Sequence, residues 1–343
     1  MENIDQGSDQ NNKPQLRDYK VVCAKLGLSM CIYFICRLLA GWLSTLLFNS
    51  TGIMGETLST LLSAILSITL VYVIPLLATA LIFKSFESYR GNYRKLYKKP
   101  KRLARALGTF PATYGFGYGI ALLTVLVMYL ISRNLSGQTY VEELLRPTVV
   151  EAPTSIISVL AIVFLMVVIA PLFEEFWVRG IMYDALKPYG TGVAIIISSI
   201  LFGLMHGSLY MLFYTTAFGF ALGYIRYATG SLFIVTILHA IVNSIAAGAL
   251  FFTTLQQITN EENKLVNTIT TLYLLAMLVL IIVGIVVFLS KIPAIRKYKI
   301  ENSWTAVGPW KKTAFFFISI PVILMMVLAF NEISGGLLLG LIN

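Results

Sequence analysis

Apolar residues along this chain come in blocks too long for the stripe of a surface helix and too continuous for the alternation of a strand. A membrane crossing needs about 20 mostly apolar residues. Nine stretches meet or approach that length: Leu26–Phe48, Leu58–Phe83, Ala106–Ile131, Thr154–Phe173, Gly192–Gly207, Tyr210–Tyr227, Ser231–Phe252, Thr268–Leu289 and Thr313–Phe330. The fifth and sixth are short and nearly contiguous. The third contains Pro111 and four glycines and is expected to kink there. The ending Ile333–Asn343 is apolar but too short to cross. The pattern predicts an all-α polytopic membrane protein of about nine transmembrane helices. A polar tail covers 1–20, and a single integral membrane domain covers 21–343.

Composition removes the soluble alternative. Hydrophobic residues make up 57% of the 343, charged residues 12%, and mean hydropathy is +0.81. A globular domain carries about 25% charged residues, so this chain has too little charge to coat a soluble fold of its size. The tail lacks the short apolar core of a cleaved signal peptide, so the N-terminus is expected to stay. Cys23, Cys31 and Cys36 fall in the first apolar stretch and form no Cys-x-x-Cys pair. They are expected to be small packing residues.

The placement of lysine and arginine orients the spans. With the N-terminus cytoplasmic, outer segments hold only Arg133, Arg146 and Lys264 of the 26 basic residues, and Arg37 lies within the first span. One inner cluster runs from Lys84 to Arg105, nine basic residues against the single Glu87, and a second runs from Lys291 to Lys312. The outer loops carry Glu142, Glu143, Glu151, Glu261 and Glu262. Basic loops beside spans meet anionic lipid headgroups. The expected partner of this charge is membrane lipid, with no nucleic acid, in a multi-pass protein of the cell membrane.

Ionisable residues inside spans mark functional sites by default. The two histidines, His206 and His239, both fall in spans. Glu174 and Glu175 end an apolar run, with Arg179 four residues beyond. Phe202 precedes His206 by four, and Asn243 follows His239 by four, so each pair shares a helix face. Glu175 and Arg179 can pair one turn apart. Glu174 is turned by about 100° from Glu175, so the two carboxylates cannot meet one partner in the same way. An interfacial ion pair capping the fourth span is the plainer reading of the same residues.

Hairpin geometry favours a site. The fourth helix is expected to end at Pro188-Tyr189-Gly190, which brings Glu174 and His206 to levels about 3 Å apart on antiparallel helices. His239 reaches that level from the Ala228-Thr229-Gly230 turn if the 179–187 segment, with Asp184, projects about 10 Å into the cytoplasm. Gly203 with Gly207, and Gly219 with Gly223, have the small-xxx-small spacing of closely packed helices.

The trio Glu174-Glu175-x-x-x-Arg179, Phe202-x-x-x-His206 and His239-x-x-x-Asn243 resembles the CPBP (CAAX protease and bacteriocin-processing, or Abi) intramembrane endopeptidases, which include the type II CAAX prenyl endopeptidases. The likeness covers Ser155 to Phe252, a protease core of four helices at about 154–252. It implies hydrolysis of a peptide bond in a membrane-associated protein or peptide. Glu174 would activate water and His206 would help hold it. His239 and Asn243 would donate to the oxyanion, and Glu175 with Arg179 would support the base. Either glutamate could be the base. The resemblance requires no cofactor; a zinc ion, if bound, would take Glu174, His206 and His239.

Other readings compete. The same family implies a non-proteolytic alternative, a bacteriocin-immunity protein or membrane scaffold. A proton-coupled transporter would be expected to have inverted repeats, and none is evident. His-Glu-x-x-His, Gly-x-Gly-Asp and Gly-x-Ser-Gly, which mark other intramembrane proteases, are absent. The chain sets neither the substrate nor the oligomeric state.

Overall fold

The computed structural model describes residues 16–49, 55–84, 96–100, 103–134, 156–259, 263–297 and 308–333. Helix is the only regular structure among them, as the bilayer requires of a chain that must satisfy its backbone internally. The helices longer than five residues are α1 (Leu16–Asn49), α2 (56–82), α3 (Phe110–Asn134), α4 (Ile156–Tyr189), α5 (Thr191–Leu204), α6 (Leu209–Thr229), α7 (Leu232–Ile258), α8 (Lys264–Lys297), α9 (Pro309–Phe317) and α10 (Ile320–Ile333).

Six of these are long and apolar enough to cross a membrane, and α9 with α10, bent by 69°, make a seventh if taken as one span. That is fewer than the nine expected. The fifth expected span is α5, whose 14 residues rise about 21 Å, short of a hydrocarbon layer of about 30 Å. The sixth is α6, where tyrosines, threonines, glycines and Arg226 dilute the apolar run. The molecule remains a multi-pass helical membrane protein.

Other differences have local causes. The third span is interrupted where a kink is expected: a turn at Gly108 and Thr109 separates a short helix, Leu103–Leu107, from α3, and Pro111 lies just beyond it. That proline is the second residue of α3, where its missing N–H removes no helical bond. The tail expected over 1–20 lies outside the described residues up to 15, and α1 already begins at Leu16. Also outside them lie the acidic outer-loop residues, Arg146, the end 334–343 and most of the Lys84–Arg105 cluster. Cys23 and Cys31 are buried, as packing residues would be.

α4 turns back into α5 at the expected breaker. A tight turn covers Lys187–Tyr189, and Gly190 takes φ 132°, a backbone value open to glycine. The Lys312 ammonium of α9 donates to the Tyr189 carbonyl at 2.7 Å, and Tyr19 of α1 donates to the Lys312 carbonyl at 2.8 Å. The segment before the turn is packed among the other helices: Trp177 through Tyr183 are all buried. Its one acidic group, Asp184, pairs with Arg226 of α6 at 3.6 Å.

The helices close around α5, whose Val193, Ala194, Ile197, Leu201 and Phe202 are wholly enclosed. α1 packs along α10, α3 along α6 and α8, and α5 along α6. The α3–α8 contact is backbone on backbone, because a Cβ on Gly115 would overlap the main chain of Gly284. α8 keeps most of its apolar surface facing outward, Leu272, Leu275, Val279 and Val286 among it.

α2 and α4 are not regular throughout. Wide π-helical turns occupy Ile68–Val73 in α2 and Leu165–Ile169 and Phe176–Met182 in α4. The first two end two residues before a proline, Pro75 and Pro171. Proline offers no N–H and crowds the carbonyl four residues back, and a locally widened helix relieves both conflicts. The six residues between the two wide turns of α4 carry Glu174 and Glu175.

Candidate active site

The site lies where α4, α5 and α7 meet. The guanidinium of Arg179 donates through Nη1 to Glu175 Oε1 at 2.9 Å, one turn apart, and both side chains are fully buried. His239, on α7, brings Nδ1 to the same oxygen at 2.8 Å. A carboxylate can only accept from that ring nitrogen if it carries the proton, so Nδ1 is the donor. The opposite nitrogen, Nε2, faces Glu174 Oε2 at 3.9 Å. The two glutamates thus approach the two edges of one imidazole, which the angle between neighbouring helical positions allows.

Phe202 of α5 lies between this cluster and His206. The Arg179 guanidinium lies 4.2 Å over its ring, a cation–π contact. The rings of His206 and His239 meet Phe202 edge to face at 4.9 and 5.5 Å. Arg179 Nη2 also donates to the Gly219 carbonyl of α6 at 3.3 Å, and a Cβ on Gly219 would come within 3.1 Å of that nitrogen. Gly203 allows α5 and α6 to touch: a Cβ there would overlap Thr216 Oγ1 and lie 2.8 Å from the Leu212 carbonyl. Gly207 differs from this expectation. It lies past the end of α5 in a left-handed conformation, φ 65°.

Glu174, Glu175, Arg179 and His239 therefore meet directly. His206 joins them through Phe202, with Nδ1 2.8 Å from the Phe202 carbonyl. The carbonyl can only accept, so Nδ1 carries a proton and Nε2 is left as the acceptor. Asn243 is one turn from His239, but its amide donates to the Met166 carbonyl of α4 at 2.8 Å. Among the described residues, no group of three or more His, Cys, Asp or Glu side chains is arranged to hold a metal ion. The trio Glu174, His206 and His239 does not form such a set.

The motifs did not predict every neighbour. Tyr72, in the wide turn of α2, brings its hydroxyl to Glu174 Oε1 at 3.5 Å. A tyrosine in an apolar span gives no sequence signal of that role. Trp177 donates to Thr79 Oγ1 at 2.9 Å and packs against Tyr33, tying α4 to α2 and α1. Arg37 and Glu332, from the two ends of the chain, lie beside the His206 turn. A lone arginine inside the first span was the signal for the former.

Residues 156–245 match the family model described as type II CAAX prenyl endopeptidase Rce1-like. All six residues singled out in the sequence fall inside that stretch. The central stretch of this chain is similar to that family. At the level of family, the match agrees with the likeness to CAAX-type intramembrane proteases that the three motifs carry. A protein of Mycoplasma capricolum subsp. capricolum, described only as uncharacterized, is 26% identical over 193 residues, covering 53% of this chain and 56% of its own length. The chain thus spans little more than half of that curated relative. No solved structure matches the chain. The matched stretch takes in all of α4 with both glutamates, all of α5 and α6, and the first half of α7. α1, α2, α3, α8, α9 and α10 lie outside it.

Proposed function

We propose that this protein is an intramembrane endopeptidase that hydrolyses a peptide bond in a membrane-associated protein or peptide. One observation carries the reading: Glu174 Oε2, buried and without a hydrogen bond among the described residues, faces His239 Nε2 across 3.9 Å. The two atoms are too far apart to bond, and their separation is one that a single water oxygen, about 2.8 Å from each, would bridge.

In this mechanism Glu174 takes a proton from water, and the hydroxide attacks the scissile carbonyl. Glu174 later returns the proton to the leaving amine. His206, with Nε2 as acceptor, helps hold the water. The oxyanion receives hydrogen bonds from His239 and from the second N–H of Asn243, the first being engaged by Met166. To donate through Nε2 while Nδ1 donates to Glu175, His239 must carry a proton on each nitrogen. A lost oxyanion donor costs about 3 kcal/mol in comparable sites. Glu175 and Arg179 orient His239 and do not touch the substrate. The fully buried Glu175 has one oxygen committed to two donors, which favours Glu174 as the base. Protein of the cell membrane with a cytoplasmic N-terminus is part of the same proposal, on the distribution of basic residues.

The test is cleavage of membrane-anchored peptides, prenylated and unmodified, by the purified full chain in lipid. Wild type is compared with Glu174→Ala and His239→Ala, each with and without a strong chelator. Activity lost in both variants and indifferent to chelator supports the mechanism. Chelator-sensitive activity restored by Zn²⁺ would reassign the glutamate and histidine as metal ligands. No cleavage of any peptide by folded wild type would favour the immunity or scaffold alternative.

A further inference from the structure

Arg37 is a charge inside the first apolar span that the three motifs leave unused. In the structure it reaches the turn between α5 and α6. Its Nη1 donates to the Met205 carbonyl and to the Tyr33 hydroxyl, the latter at 3.0 Å, and its Nη2 to the His206 carbonyl at 3.4 Å. The Tyr33 hydroxyl donates to the same Met205 carbonyl at 2.8 Å. On its other edge, the guanidinium pairs through Nε with Glu332 Oε1 at the end of α10.

The turn has a reason to need this grip. α5 rises only about 21 Å, so if one end lies at the surface the other stops within a hydrocarbon layer of about 30 Å. Non-helical backbone at membrane depth persists only where protein supplies the hydrogen bonds that water would. Met205 and His206 present carbonyls there at the negative end of a helix, where a cation is favoured. Gly207 closes the turn at φ 65°, and a Cβ on it would lie 2.6 Å from Glu332 Oε1 and 2.7 Å from Arg37 Nη2. A larger residue next to His206 would have to push both side-chain ends aside and hold a left-handed backbone.

We infer that Arg37, held by Glu332, is a positioning residue that sets where His206 stands in the site. The first and last described helices, both outside the Rce1-like stretch, thereby act on one of its histidines. The kinetic consequence rests on the proposed hydrolysis, but the structural one does not.

The chain has two histidines, so isotope-labelled ring nitrogens give two sets of magnetic resonance signals, assignable with His206→Gln and His239→Gln. In the full chain in lipid, Arg37→Gln is expected to move the His206 signals and leave those of His239 in place. It is also expected to lower kcat by about 100-fold with KM unchanged, the scale of a misplaced group. Arg37→Lys keeps the charge without the planar fork and recovers part of the rate. Unmoved His206 signals in folded Arg37→Gln would overturn the inference, as would equal movement of both histidines. If Arg37→Gln does not fold, Glu332→Gln and Gly207→Ala disturb the clamp from its other sides and are read by the same signals. Moved His206 signals with no cleavage by wild type would sustain the clamp and sink the protease reading.

Discussion

His239 Nδ1 and Arg179 Nη1 converge on a single oxygen of Glu175, at 2.8 and 2.9 Å. That oxygen fixes which edge of the imidazole turns toward Glu174. In Glu175→Gln the amide can rotate its NH₂ toward either donor, and the ring loses its fixed presentation. We expect kcat to fall about 10- to 100-fold, as when an orienting partner of a functional histidine is lost. KM should stay near the wild-type value, because Glu175 is fully buried. Steady-state cleavage kinetics in lipid test both parts.

The same pair predicts a stability effect distinct from catalysis. Arg179→Ala strands Glu175 in a fully buried position, and breaking such a pair costs about 3–5 kcal/mol. The double variant Glu175→Ala/Arg179→Ala should lose less than the sum of the two single losses, because it strands no charge. Unfolding in mild detergent would show the coupling. Strict additivity would mean that the pair does not act as a unit.

Glu174 should behave in the opposite way. Its Oε2 makes no hydrogen bond among the described residues, and its Oε1 meets only the distant Tyr72 hydroxyl at 3.5 Å. Glu174→Gln is expected to leave the unfolding midpoint at or above the wild-type value, since it removes a buried charge. The cleavage rate should fall by about 100- to 10,000-fold, the range of a lost general base. A rate loss accompanied by a large drop in midpoint would make Glu174 a structural residue.

Two glycine contacts differ in what lies opposite. A Cβ on Gly203 overlaps chiefly a side chain, Thr216, whereas one on Gly115 overlaps the backbone of Gly284. Overpacking costs about 1–3 kcal/mol where neighbours can shift. Gly115→Ala should therefore destabilise more than Gly203→Ala, and Thr216→Ala should partly rescue only the latter. Thermal unfolding of the two single glycine variants, and of each combined with Thr216→Ala, against wild type decides it.

The legible parts of this molecule are those written in local spacing. The intervals from Glu175 to Arg179, from Phe202 to His206 and from His239 to Asn243 mark single helix faces, and the breaker at Pro188 to Gly190 marks the hairpin that lets α4 and α5 meet. α5 ends at Leu204 and not at Gly207 as its apolar run suggests, because apolar residues continue through the turn at Met205 and hydropathy does not register a turn whose carbonyls a distant arginine satisfies. Asn243 reaches Met166 because a wide turn carries that carbonyl, and a change in helical winding leaves no trace in residue type. The pairing of Arg37 with Glu332 joins residues from opposite ends of the chain, beyond any motif.

The seam between α1 and α10 also sets an order of events in biogenesis. A Cβ on Gly27 of α1 would lie 2.6 Å from the backbone of Pro321 in α10, so these helices fit only when pressed together. α10 is synthesised after every other described helix, and at about 5–20 residues per second it emerges tens of seconds after Arg37 enters the bilayer. During that interval the arginine has no Glu332 to neutralise it, and the His206 turn has no finished clamp. All seven residues of the three motifs are synthesised before α10 can reach that turn. On the inferred clamp, the His206 turn is complete only once α10, the last of the described helices, has arrived.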